Sequence, residues 1–87
     1  MISKTLTISN EEGLHMRPAG VVAKEMGKFL CDVTLVFGEK RINAKSLINI
    51  ISASIKNGAE VTFEFDGEDE EAALTKLEEI AAKNFGE

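Results

Sequence analysis

At Gly13-Leu14-His15-Met16-Arg17-Pro18-Ala19 the apolar periodicity of the chain changes, and no other stretch constrains the fold as tightly. Before it, Ile2, Lys4, Leu6 and Ile8 alternate with Ser3, Thr5, Thr7 and Ser9. This is the pattern of a strand, Ile2 to Ser9, with one buried face. After it, Ala19, Val22, Ala23 and Met26 recur at helical spacing and give one core-facing stripe on a helix over about Met16 to Met26. Pro18, the sole proline, fixes where that helix begins: it lacks an N–H and its ring obstructs the preceding turn, so it is tolerated only in a first turn. Asn10 to Gly13 is then a polar turn between strand and helix, and Gly27 suits a left-handed position just past the helix end.

The same two periods continue. Cys31, Val33, Leu35 and Phe37 alternate with Asp32, Thr34 and Val36 as a second strand, which makes Cys31 a small core residue rather than a reactive thiol. Gly38-Glu39 turns the chain into a short strand over Lys40 to Ala44. Ser46 precedes Leu47, Ile48, Ile50, Ile51 and Ile55 and is placed to cap a helix that Asn57-Gly58 ends. Apolar side chains cover an arc of roughly 220° of that helix. This leaves two readings: some of Leu47, Ile48 and Ile51 stay exposed as a partner surface, or the helix is buried on two sides. Val61, Phe63 and Phe65 form a fourth alternating strand. A last helix over about Glu70 to Asn84 presents Ala73, Leu77, Ile80 and Ala81 inward, with Leu74 beside them and acids in its first turn. The order is βαββαβα. Strands that are apolar on one face call for one sheet covered by helices on that face.

Eighty-seven residues hold a single core, so the whole chain, 1–87, is expected to be one domain. No run approaches membrane-spanning length, and one cysteine excludes an internal disulfide, as in a reducing cytoplasm. One histidine and one cysteine argue against a transition-metal site within the chain, and no cofactor is expected. Residues 1–59 carry 8 Lys/Arg against 5 Asp/Glu while residues 60–87 carry 2 against 10, so the half with His15 is mildly basic. That half suits docking to an acidic partner; the acidic remainder reads as a solvated helix face. Without Trp, Tyr or a dense basic stripe, nucleic-acid binding is not expected.

His15, the sole histidine, falls at a helix N-terminus, where backbone N–H groups lack partners and the macrodipole is positive. Such a place holds an anion, and the planar fork of Arg17 can grip two phosphate oxygens. A nucleophilic imidazole in this setting points to phosphoryl transfer through a phosphohistidine. A plain surface histidine is the competing reading.

The Gly13–Ala19 stretch resembles the active-site signature of HPr, the histidine-containing phosphocarrier of the bacterial phosphoenolpyruvate:sugar phosphotransferase system. The similarity extends over the chain and includes a second landmark, Lys45-Ser46-Leu47. The resemblance implies an α+β fold, an open-faced β-sandwich with a four-stranded antiparallel sheet and three helices on one face. It implies that the His15 and Ser46 helix starts lie close together. It further implies that Enzyme I phosphorylates His15 at Nδ1 and that IIA domains of sugar permeases accept the group, with Arg17 and Pro18 shaping the site. Met16, Gly20, Lys24, Lys45, Leu47, Ile48 and Ile51 would contact partners, although Lys24 reads equally well as a solvated lysine. The protein would be a carrier, not an enzyme, acting as a cytoplasmic monomer outside the membrane. Ser46 matches a position phosphorylated by an HPr kinase/phosphorylase in many Gram-positive relatives, where a catabolite-control regulator is a further partner. Met16 stands where the family commonly has Ala, and Asn49 where many relatives have Gly. The alternatives are a paralogue in a nitrogen-related or regulatory branch and a small acylphosphatase-like hydrolase.

Overall fold

In the computed structural model, which describes residues 1–86, the strands are β1 (Ile2–Thr7), β2 (Asp32–Phe37), β3 (Lys40–Asn43) and β4 (Glu60–Asp66). The helices are α1 (Met16–Met26), α2 (Leu47–Ser52) and α3 (Glu70–Ala82), followed by a 3-10 turn, Asn84–Gly86. The expected order is therefore present. The strands form one antiparallel sheet ordered β1-β4-β2-β3. Leu35 and Lys4 stand opposite Phe63 from either side. One face buries Val33, Leu35, Val61, Phe63 and Phe65 against Ala19, Val22 and Met26 of α1 and Ala73, Leu77 and Ile80 of α3. Lys4 shares the inward register of β1 yet sends its amine across to Glu78 of α3, Nζ to Oε2 3.3 Å. A partly covered stem and a solvated charge let it occupy that position. Cys31 precedes the strand but is 2% exposed. Burial and the neighbouring Asp69 push its thiol up to about 11, which keeps it an unreactive core residue.

Three local expectations need correction. Gly27 is right-handed (φ −63°), because its N–H bonds to Ala23 O and continues the last turn of α1. The second helix stops at Ser52, well before Asn57-Gly58. Ser54 turns left-handed there (φ 54°), so Ile55 enters the core and its carbonyl accepts a bond from Leu14 N at 2.9 Å. The third helix ends at Ala82 rather than Asn84, and the turn beyond it buries Phe85.

Asp69 fastens the start of α3 to the chain entering β2. Its carboxylate accepts the backbone N–H groups of Leu30 and Cys31, both at 2.8 Å. Those bonds, Leu30 first, hold it below the usual carboxylate range. A group lowered in this way stabilises the fold above its unfolded value of about 3.9 and loses that contribution as the pH falls through and below it. We therefore expect Asp69→Asn to lower the thermal midpoint by several degrees near neutrality. The gap to the parent should close in acid. Melting curves across that range check it, and a gap independent of pH would reject the ionic account.

Candidate functional site

His15 is the residue before the first turn of α1, with an extended backbone (φ −84°, ψ −162°), and its carbonyl accepts from Ala19 N at 3.0 Å. Its side chain makes no capping bond and is 35% exposed. The amides of Met16 and Arg17 lie in the first turn and have no intrahelical acceptor. Pro18 supplies no amide and is buried among core side chains, so it sets the start of the helix rather than touching a ligand.

Gly13 makes this geometry possible. It is left-handed (φ 72°), and a Cβ there would sit 2.3 Å from Ile55 O and 2.6 Å from Lys56 Cα. The loop before α1 thus lies directly on the segment leaving α2. Three asparagines stitch it in place. The Asn57 side chain donates to the carbonyls of Ser9 (3.3 Å) and Asn10 (2.9 Å), and the Asn10 side chain donates to Asn84 O (2.8 Å). Ser9 Oγ donates to Asn84 Oδ1 at 3.1 Å. In sequence Asn10 reads as part of a turn, and Asn57 and Asn84 read as helix ends.

A surface pocket of about 320 Å³ opens beside the histidine, lined by Asn10, Glu11, Glu12, His15 and Asn84. Glu12 Oε2 is 3.8 Å from His15 Nε2. The surroundings of the histidine are therefore mixed in sign, where the charge count suggested only a basic face. The chain position of Glu11 and Glu12 was visible in the sequence; their approach to the ring was not, because it depends on how the turn folds back.

On α1, a 100° step per residue puts Arg17 and Lys24 opposite the Ala19–Val22–Met26 stripe and Gly20 and Met16 on the flank beside them. Met16 is 65% exposed, Arg17 and Lys24 are exposed, and Gly20 has open space around it. On α2, Ile50 points into the core while Ile48 (74% exposed) and Ile51 (36%) face out, with Leu47 half-buried. Of the two readings of that helix, the one that leaves Ile48 and Ile51 exposed describes the structure.

One site expectation changes. The starts of α1 and α2 are not adjacent. The segment after α2 meets Leu14, beside His15, whereas Lys45 at its start reaches Phe29 O (2.8 Å) beyond the end of α1. The two helices run in opposite senses, which places the Ile51 end of α2, not Ser46, toward the histidine. The Lys45 amine donates to that carbonyl, and the residue is half-buried. Ser46 is the expected cap: its Oγ accepts from Asn49 N at 3.3 Å. Among the described residues no cluster of His, Cys, Asp or Glu could hold a metal ion, and no helix is long and apolar enough to cross a membrane.

Residues 2–83 match the family model described as the PTS HPr component phosphorylation site. Phosphocarrier protein HPr of Mycoplasma capricolum is 40% identical over 72 residues, 83% of this chain and 81% of that protein. The HPr-like protein Crh of Bacillus subtilis is 38% identical over 77 residues, 88% of this chain and 91% of its own length. The crystal structure of HPr-C-His from Thermoanaerobacter tengcongensis superposes with a TM-score of 0.94 at 34% identity, covering 100% of this chain and 98% of that one.

Proposed function

The chain belongs to the HPr family of phosphotransferase-system phosphocarriers, and on that premise we propose that it accepts a phosphoryl group from Enzyme I on His15 and passes it to sugar-specific IIA domains. The observation that carries this reading is the one-third-exposed imidazole at the N-terminus of α1, beside two first-turn amides without intrahelical acceptors. Arg17 and those amides would steady the phosphoryl group without trapping it, since a ground state bound too tightly slows onward transfer. Partners would dock on Met16, Gly20 and Lys24 of α1 and Leu47, Ile48 and Ile51 of α2. The protein would work in the cytoplasm, as a single-domain monomer that turns nothing over alone.

The test is intact mass after incubation with Enzyme I and phosphoenolpyruvate, before and after acid. One acid-labile phosphate is expected. None, with a competent HPr in parallel, would reject the reading. Steady hydrolysis of an acyl phosphate without partners would favour a hydrolase instead, and none is expected.

Ser46 is proposed as a regulatory phosphorylation site for an HPr kinase/phosphorylase, in a branch that ends on a catabolite-control regulator. A phosphate at a helix N-terminus is electrostatically tolerated. Because Ser46 stands at the end of α2 away from His15, its charge would act on partner docking rather than on the imidazole. Ser46→Asp keeps a capping oxygen and should slow phosphorylation by Enzyme I roughly tenfold, equivalent to about 1.4 kcal/mol of like-charge penalty at the interface. Unchanged stopped-flow kinetics would remove the idea.

A further inference from the structure

We propose that Glu12 is a positioning residue for His15: its carboxylate keeps the imidazole proton on Nε2, leaves Nδ1 as the nucleophile, and makes the phosphorylated ring a better donor. This deepens the phosphocarrier reading and rests on it. Glu12 Oε2 faces Nε2 at 3.8 Å, too far for a hydrogen bond but close enough for a charge to bias which nitrogen is protonated. The other ring nitrogen, Nδ1, is bonded to Cγ and so lies nearer the His15 backbone than Nε2 does. The loop that presents Glu12 is fixed by Gly13 against Ile55 and Lys56 and by Asn57 on Asn10. The carboxylate is therefore carried on a held segment, although it is itself 76% exposed.

The consequences follow from the transfer step. The Nδ1 lone pair forms the N–P bond as the bond between phosphorus and the donor breaks, its electron pair leaving with the donor. Nε2 keeps its hydrogen throughout, so the phosphorylated ring is an imidazolium facing Glu12. In the onward step, or in hydrolysis, an acceptor atom bonds to phosphorus, the N–P pair returns to Nδ1, and a neutral imidazole leaves. In hydrolysis the attacking water gives its proton to solvent. A ring that had lost its Nε2 proton would have to leave as an anion, a poorer leaving group. Repulsion between the Glu12 carboxylate and the phosphoryl oxygens acts in the same direction. With Glu12 present, the phosphohistidine is more reactive.

The experiment compares the parent, Glu12→Gln and Glu12→Ala, with Glu68→Gln as a charge control in the turn at the opposite end of β4. Ring-nitrogen chemical shifts of isotope-labelled, unphosphorylated protein, at a pH where the imidazole is neutral, report the tautomer. Intact mass spectrometry of base-quenched samples, in which the N–P bond survives, reports the lifetime of the phosphohistidine. The parent and the control should show the Nε2–H form. Both Glu12 variants should shift toward a mixture and lengthen the phosphohistidine lifetime roughly fivefold, the effect of one charge at about 4 Å at a solvated surface. An unchanged tautomer, or an unchanged lifetime, would overturn the proposal. Failure of the parent to take up phosphate would instead sink the phosphocarrier reading, while the nitrogen shifts would still report on Glu12.

Discussion

His15→Ala should abolish the acid-labile phosphate and reduce phosphoryl flux to the background of Enzyme I alone, while the fold survives. The imidazole is the only nitrogen nucleophile at the start of α1, and Ala offers no atom that could form an N–P bond. The histidine side chain caps nothing, and only the His15 carbonyl takes part in the helix ladder. A change at such a site is expected to alter stability by no more than about 1 kcal/mol. Phosphorylation by mass and unfolding by denaturant, measured on one preparation, separate chemistry from folding. A variant that still carried an acid-labile phosphate would place the site elsewhere.

Gly13→Ala should have the largest effect of any single methyl group added near the site. A left-handed L-residue costs about 1–2 kcal/mol. Here the new Cβ would also lie 2.3 Å from Ile55 O, so residues 13–14 and 55–56 must separate. That separation disturbs the 2.9 Å bond from Leu14 N to Ile55 O, adding about 1–3 kcal/mol for buried groups left unpaired. We expect a loss of about 3 kcal/mol in urea unfolding. Gly58→Ala is the control: it is also left-handed (φ 87°) but has open space around it, so it should lose only the conformational part. Because His15 lies two residues on, a shift of about 1 Å should cost the Gly13 variant on the order of a hundredfold in transfer rate. Equal stability of the two variants would show that the close approach carries no energy.

The comparison of periodicity with architecture is uneven in an instructive way. Strands and long helices were legible because each repeats its pattern for several turns or alternations, and because Pro18 admits one helix start. The six-residue α2 was overextended. Its apolar run continues into Ile55, and nothing local reveals that the chain turns left-handed at Ser54 before burying Ile55. Gly27 was misread for a related reason: glycine permits a left-handed conformation but does not require one. The bond from the Lys45 amine to a carbonyl sixteen positions earlier is equally invisible to any local pattern.

At the site, the sequence by itself determined the chemistry: one imidazole, the start of a helix, a guanidinium two residues later, and a serine able to cap a second helix. These are properties of residue type and of separations within a few positions. The tertiary structure alone decided that α2 runs against α1, that the Ile51 end of α2 rather than Ser46 lies toward the histidine, and that Glu12 faces its ring. Those relations depend on contacts such as Leu14 with Ile55 and Asn10 with Asn57. They join segments more than forty residues apart, and their geometry is set by which faces the core buries, a quantity that no local pattern contains.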